Sequence, residues 1–298
     1  MEAVRCCVIF NPTAKGDKAR HFQDQLRAAR EGVELFPTVG PGDATKMASE
    51  LAAKGHETIV AAGGDGTVNE VANGILRAGS GSSRLGVLPL GTVNVFAKEL
   101  GIPMNLDGAW AVLEKGNERR VDAGWVEHEV DGKLQRRYFV QLAGAGLDAR
   151  AVELVTWEKK KRWGALAYVM AGWRALGEKM APIRVEFDGL RLEGVGLVLV
   201  GNGRFYGGRW RVFPDAVMDD GMLEVTVFRG LSRCWLPLYG LAALSGVWEI
   251  APGVTRWRTR ELALSSAEKT SFELEGDWAG HLPLRIGIEG KAIRVLAP

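Results

Sequence analysis

Cysteine is scarce in this chain: there are three, with Cys6 and Cys7 adjacent and Cys234 far away. No disulfide framework or metal knuckle can be read from that spacing, and a reducing cytoplasm fits it best. The four histidines, His21, His56, His128 and His281, are scattered at intervals that spell no zinc motif. Long apolar runs are missing as well. The longest mostly apolar stretch, Leu236 to Trp248, contains Pro237 and two glycines and falls short of the roughly 20 residues a spanning helix needs. The apolar run ahead of Asn11 is too short to read as a signal peptide. No membrane span is expected, although attachment to a membrane surface stays open. Charge of one sign is also lacking: 38 basic against 36 acidic residues leave a formal charge of +2. A nucleic-acid partner would call for a concentrated basic face, so none is expected.

What remains is ordinary soluble composition, 47% apolar and 25% charged over 298 residues. That length suits two domains with separate cores. The change in texture near Val121 divides the chain into an α/β domain over 1–124 and a β-rich domain over 125–298. The last strand, near 290–298, is a candidate to return to the first domain.

The most informative stretch is IVAAGGDGTVNEVANG, from Ile59 to Gly74. A β-branched run ends in a glycine turn, and a helix-compatible segment follows with Thr67 at its entry. Glycines admit a ligand close to the backbone, and amides at a helix start favour an anion such as phosphate. Asp65, in the middle of the turn, would then act through a metal ion riding on that phosphate. The plain alternative is a turn in which Asp65 and Thr67 cap the helix.

Around it, strands are expected at Arg5–Phe10, Glu34–Thr38, Thr58–Ala62 and Leu85–Leu88. Helices are expected at Asp17–Ala29, from Gly42 and Asp43 to Lys54 with Gly55 closing, at Thr67–Arg77 and at Val95–Leu100. Alternation of this kind predicts a doubly wound, mostly parallel sheet. The turns NPTAKG, Thr38, GGDGT and PLGT all follow strands, and in such sheets ligands bind beyond the carboxyl ends. GGDGT matches neither GxGxxG nor the P-loop pattern, so an ordinary dinucleotide dehydrogenase or a Walker ATPase is disfavoured.

The second half reads as mainly antiparallel, with Asp131-Gly132, Asp188-Gly189 and Glu289-Gly290 as hairpin turns and with two helical insertions. The first, Ala149 to Met180, sets Lys159, Lys160, Lys161 and Arg162 beside Trp163, Tyr168 and Trp173. That suits either anionic headgroups or a core helix with a solvated charge run. The second, Leu231 to Glu249, is apolar enough to be core. Asp215, Asp219 and Asp220 cluster in a loop that either holds a hard cation such as magnesium or is a plain turn. Glu275 and Asp277 flank Gly276, as a general base or as solvated turn residues.

Taken in order, NPTAKG, GDAT, GGDGTVNEV, LGVLPLGTVNVFAKELGIP, GAGLDA, GNGRFYGGRW, PDAVMDDGMLEV and LEGDW resemble the soluble diacylglycerol kinase and sphingosine kinase family over almost the whole chain. The fold of that family is shared with NAD kinases. The resemblance implies an ATP- and Mg2+-dependent transfer of the γ-phosphate to a lipid hydroxyl, diacylglycerol or a related lipid, at the inner face of a membrane. ATP would lie between the domains, on Asn11, Pro12, Thr13, Ala14 and Lys15, on Thr38, on Gly63, Gly64, Asp65, Gly66, Thr67, Val68 and Asn69, and on Thr92. It further implies catalytic roles for Asp65 and Asp277, and a structural magnesium on Asp220 with the backbone carbonyls at Val217 and Met222. Two departures stand out. The family usually shows Asp-Gly-Glu where this chain has Glu275-Gly276-Asp277, and a misplacement of about 1 Å can cost on the order of a hundredfold in rate. Lys15 replaces a serine in the first loop. Two other readings stand beside this one: a soluble-substrate kinase of the NAD kinase type, and a nucleotide-binding regulator without turnover. An exposed strand edge in the second domain could pair with another copy to make a homodimer.

Overall fold

Runs of apolar, β-branched residues that end in glycine or proline build the first unit. In the computed structural model, residues 6–12, 32–79, 81–154, 174–175, 177, 181–208 and 210–298 are described. The expected helix over 17–29, and the basic and aromatic residues of the insertion over 149–180, lie outside them. The described chain forms two compact units, 1–123 with 290–298, and 124–289.

In the first unit β1 (Cys6–Phe10), β2 (Val33–Pro37), β3 (Thr58–Gly63) and β4 (Arg84–Pro89) are parallel, in the order β4-β3-β1-β2. β1, β3 and β4 are buried along nearly their whole length, as strands covered on both sides must be, whereas β2 at the edge is largely exposed. Helix α1 (Asp43–Ala53) packs on α2 (Asp65–Ala78), and Glu70 of α2 accepts the Gly42 and Ala44 amides at 3.1 and 3.2 Å. Two donors that the start of α1 leaves without a helical partner are satisfied in this way. The stripe Val68, Val71, Ala72 and Ile75 faces the core, its valine and isoleucine side chains each contributing about 1.5–3 kcal/mol where fully buried. Two short helices follow, α3 (Val95–Glu99) and α4 (Leu106–Lys115). Asn105 caps α4 by accepting the Gly108 amide at 2.7 Å.

The second unit is antiparallel. β5 (Glu118–Val130) and β6 (Lys133–Phe139) form a hairpin through Asp131 and Gly132, both at positive φ. β7 (Leu142–Gly146), β8 (Ile183–Phe187), β9 (Leu190–Gly201), β10 (Leu223–Arg229), β11 (Val254–Thr259), β12 (Glu261–Ser266), β13 (Ser271–Leu274), β14 (Asp277–His281) and β15 (Leu284–Leu296) follow. Their order is β14-β13-β7-β9-β8-β12-β15, with β10 pairing β9 and β11. Phe139, Ile183, Val198, Val225, Leu264 and Phe272 anchor the main core. A second core gathers Phe213, Phe228, Tyr239 and Trp248 beside helices α5 (Leu147–Leu154) and α6 (Leu236–Ser245).

Three details differ from expectation. Helix α2 starts at Asp65 rather than at Thr67, because Gly64 is extended and serves as its N-cap. Glu289-Gly290 is no hairpin turn: β15 runs through it, pairing antiparallel with β12 at Leu284–Gly287 and parallel with β4 at Arg294–Val295. The chain thus leaves the first unit within β5 and re-enters it within β15. The apolar segment around α6 is not simply core, since Leu241 is 53% and Leu244 49% exposed.

Candidate active site

The ends of β1, β2, β3 and β4 lie side by side, because Phe10 pairs with Pro37 and Ala62, and Gly63 with Pro89. Thr38 is tied back to β1, its amide and hydroxyl both donating to the Phe10 carbonyl at 2.9 and 3.4 Å. Asn11 and Pro12 are exposed just past β1, and Thr13, Ala14 and Lys15 lie outside the described residues. The Leu90 and Gly91 amides donate to the Gly63 carbonyl at 3.0 and 3.2 Å. Asn94, in a left-handed conformation, folds its amide over the same turn, accepting from the Gly91 amide at 3.0 Å and donating to the Gly91 carbonyl at 2.8 Å. GGDGT and PLGTVN are therefore one interlocked structure, in which a Cβ on Gly91 would stand 2.4 Å from the Gly64 Cα.

The first intrahelical bond of α2 runs from the Val68 amide to the Gly64 carbonyl, so the Gly66 and Thr67 amides precede the helical ladder. Amides so placed, at the positive end of a helix dipole and beside close-packed glycines, suit phosphate oxygens. Asp65 does something the sequence did not show. Its Oδ1 accepts the Phe96 amide at 3.1 Å, so it caps the neighbouring helix α3. Burial raises its pKa, opposed by the Phe96 and Val95 amides and by Lys98. Val68 and Asn69 are buried in helix packing, with the Asn69 carbonyl and side-chain oxygen both accepting from Asn73. Thr92 is exposed on the second turn.

In the second unit Asp220 accepts the Met222 amide at 3.0 Å and pairs through its other oxygen with Arg258. Asp215 pairs with Arg256, and Val217 is exposed. The Asp220 carboxylate is of the hard-oxygen type magnesium takes, and Arg258 already holds one of its oxygens. Glu275, at φ 57, accepts the Val140 and Gln141 amides at 2.7 and 2.8 Å, whereas Asp277 is exposed at the start of β14. The two acids of LEGDW thus have separate situations, one engaged by backbone and one facing solvent.

Sequence reasoning missed the polar groups behind that turn. Gln141 is buried and donates to the Phe205 carbonyl at 3.0 Å, and buried Asn202 donates to the Val140 carbonyl at 2.8 Å. Asp148, Tyr206 and Glu273 form a further connected group. The available signal was a glutamate inside SFEL, a strand with no exposed residue. Among the described residues, the donors that come together as a metal site would are Cys7, Glu34 and His56, at the opposite, amino ends of the first unit's strands.

A parallel sheet with phosphate-suited turns on its carboxyl edge, followed by an antiparallel β unit, is the arrangement of the NAD kinase-like fold. Residues 5–126 match the diacylglycerol kinase catalytic domain, and residues 141–297 match the YegS C-terminal NAD kinase beta sandwich-like domain. Diacylglycerol kinases of Staphylococcus aureus strains bovine RF122 / ET3-1 and MRSA252 are each 31% identical over 99% of this chain and 92% of their own length. A diacylglycerol kinase crystal structure from Bacillus anthracis str. Sterne superposes with a TM-score of 0.78 at 24% identity, covering 100% of this chain and 98% of that one. Yeast NADH kinase complexed with NADH shares the fold at a TM-score of 0.55 and 10% identity, covering 100% of this chain and 84% of that one. The chain belongs to the diacylglycerol kinase family.

Proposed function

We propose that this protein transfers the γ-phosphate of ATP to the hydroxyl of a lipid, diacylglycerol or a close relative, at a membrane surface. The observation that carries this reading is the interlock of GGDGT with PLGTVN, which leaves the Gly66 and Thr67 amides at the head of α2. Those amides hold phosphate oxygens; the Asn94 clasp stiffens the second turn, and the Leu90 and Gly91 amides tie that turn to the Gly63 carbonyl of the first. Magnesium, when bound with the nucleotide, supplies charge neutralisation on the transferring phosphoryl group. Asp277, exposed at the start of β14, takes the proton from the attacking hydroxyl, and Glu275 holds the shape of the turn. Positioning and fixed dipoles then provide most of the acceleration.

The test is direct. Purified protein with labelled ATP, magnesium and mixed micelles containing diacylglycerol, sphingosine or phosphatidylglycerol is expected to yield a labelled phospholipid from one of them. Phosphorylation of NAD without any micelle would replace this reading with a soluble-substrate kinase, and ATP binding without turnover on any acceptor would replace it with a regulator.

A further inference from the structure

β13 lies antiparallel to β7 with Glu273 directly opposite Gly144. Because Gly144 has no side chain, the Glu273 carboxyl lies over its backbone: a Cβ there would be 2.7 Å from Glu273 Oε1 and 3.0 Å from Asp148 Oδ2. Both oxygens are cut off from solvent, and neither has a hydrogen-bond partner while both acids are ionised. Their other oxygens are engaged. Glu273 Oε2 accepts the Gly276 amide at 2.6 Å, and Asp148 Oδ1 accepts the Tyr206 hydroxyl. Glu273 is fully buried; Asp148 is partly exposed as a residue, but not at Oδ2.

We propose that Asp148 and Glu273 share a single proton across Gly144, and that this pair is a positioning device for the turn that presents Asp277. Two carboxylates held this close out of water cannot both ionise, and one proton between them supplies the bond that each orphan oxygen lacks. Among the described residues the surroundings offer no alternative cation. The acids facing Glu273 are Asp148, Glu275 and Asp277, β7 carries no titratable side chain, and Arg150 on α5 pairs with Glu153. Burial, then the Asp148 charge, raises the Glu273 pKa well above the usual carboxylate range. Through the Gly276 amide, Glu273 pins the left-handed pair Glu275-Gly276 one residue before Asp277.

The positioning role rests on the kinase reading; the proton does not. An infrared spectrum at pH 8 is expected to show a protonated-carboxyl band that E273Q removes, and a spectrum without that band overturns the shared proton whatever the enzyme does. E273Q keeps an acceptor for Gly276 and gives Asp148 a donor, so its lipid-kinase kcat is expected to stay within about threefold of the native value while its pH profile flattens on the alkaline side. E273L, which can do neither, is expected to lose at least tenfold in kcat with the KM for ATP unchanged. Equal kcat in E273L and native enzyme would overturn the positioning role. So would a failure of E273Q to restore the kcat that E273L loses. A native enzyme that turns over no acceptor would overturn the kinase reading together with the positioning role, and the infrared band alone would then decide whether the proton is shared.

A separate observation carries a second inference. Cys7 and Glu34 are register partners on the parallel strands β1 and β2, and His56 precedes β3. Cys7 Sγ lies 3.2 Å from His56 Nδ1, and one donor atom from each of the three side chains falls within 4.8 Å of the others. The geometry points to a zinc site at the amino ends of these strands, with sulfur, nitrogen and oxygen ligands from Cys7, His56 and exposed Glu34. Without metal the thiol keeps its proton, burial and Glu34 pushing it up to about 11, so zinc binding releases a proton. Titration of C234S protein with zinc against a chromogenic competitor is expected to show one ion per chain, bound at least tenfold more weakly after C7S or H56Q. Absence of binding, or binding that both substitutions leave unchanged, overturns the site.

Discussion

Gly91 and Gly64 meet backbone to backbone, and the contact is asymmetric. A Cβ on Gly91 would lie 2.4 Å from the Gly64 Cα and 2.7 Å from Asn94 Oδ1, whereas a Cβ on Gly64 would find its nearest neighbour, the Gly91 Cα, at 3.4 Å. G91A must therefore push the two turns apart, while G64A is nearly accommodated. G91A is expected to lose on the order of 1–3 kcal/mol of stability and most of its ATP affinity. G64A is expected to stay within about 1 kcal/mol of the native protein, since its added methyl meets only ordinary contact. Chemical denaturation followed by ATP titration of each variant checks both statements, and equal losses in the two would mean that the interlock does not hold the edge together.

Asp65 carries two separable roles. As the acceptor of the Phe96 amide it caps α3, and loss of such a cap costs about 0.5–2 kcal/mol. As a carboxylate beside the phosphate-suited amides it carries charge. D65N retains an acceptor and loses the charge, so D65A is expected to lower the melting temperature while D65N leaves it nearly unchanged. Both are expected to lose turnover by at least about a hundredfold if the charge acts in catalysis. Turnover in D65N close to the native rate would confine Asp65 to capping.

Much of the first unit was legible because β1, β3 and β4 are buried apolar runs followed closely by glycine or proline, a pattern with few other solutions. The Asp131-Gly132 and Asp188-Gly189 hairpins were legible for a related reason: two consecutive positive φ angles are what those residues tolerate. Glu289-Gly290 carries the same kind of acid-glycine pair and forms no turn, because β15 is held straight by partners far away in sequence, with only Lys291 left-handed and its amide on Asp122 at 2.6 Å. The Asp148–Glu273 pair and the Cys7, Glu34 and His56 group were invisible for the same cause. Strand register sets Glu273 opposite Gly144 and Cys7 beside Glu34, tertiary packing brings in Asp148 from α5 and His56 from ahead of β3, and no local spacing reports either. The cap that Asp65 makes on α3 was not legible, since its partner lies 31 residues away.

His128 sets an acid limit on the second unit. It is buried on β5 with its ring edge-on to Phe272 at 4.9 Å, and its Nε2 has no hydrogen-bond partner. Burial, then the Arg137 charge, holds its pKa below the usual histidine value. The native state thus keeps the ring neutral where the unfolded chain protonates it. Stability is unaffected above about pH 6.5 and declines as pH falls below it, by at most about 1.4 kcal/mol per pH unit from this group. Denaturant midpoints measured from pH 7.5 down to 5 are expected to fall less steeply in H128F than in the native protein, and parallel curves would assign the acid loss elsewhere.

The two acids of the LEGDW turn should separate cleanly under substitution. Glu275 accepts two amides, those of buried Val140 and Gln141, so E275A leaves buried donors without an acceptor, at a cost of about 1–3 kcal/mol. Asp277 is exposed at the start of β14, and an exchange that keeps side-chain size and an acceptor oxygen at an exposed position usually stays within about 0.5 kcal/mol. D277N is therefore expected to melt like the native protein while losing roughly 10²–10⁴ in kcat, the range for a general base. E275A is expected to melt lower and to lose activity only as far as the turn loosens. Exchanging the acids, E275D with D277E, shortens the arm that reaches Val140 and Gln141 and lengthens the one in solvent. That double variant is expected to lose stability without gaining rate. If it instead turns over faster than the native enzyme, the base role belongs to position 275, and the contact of Glu275 with the two amides is one that catalysis must break.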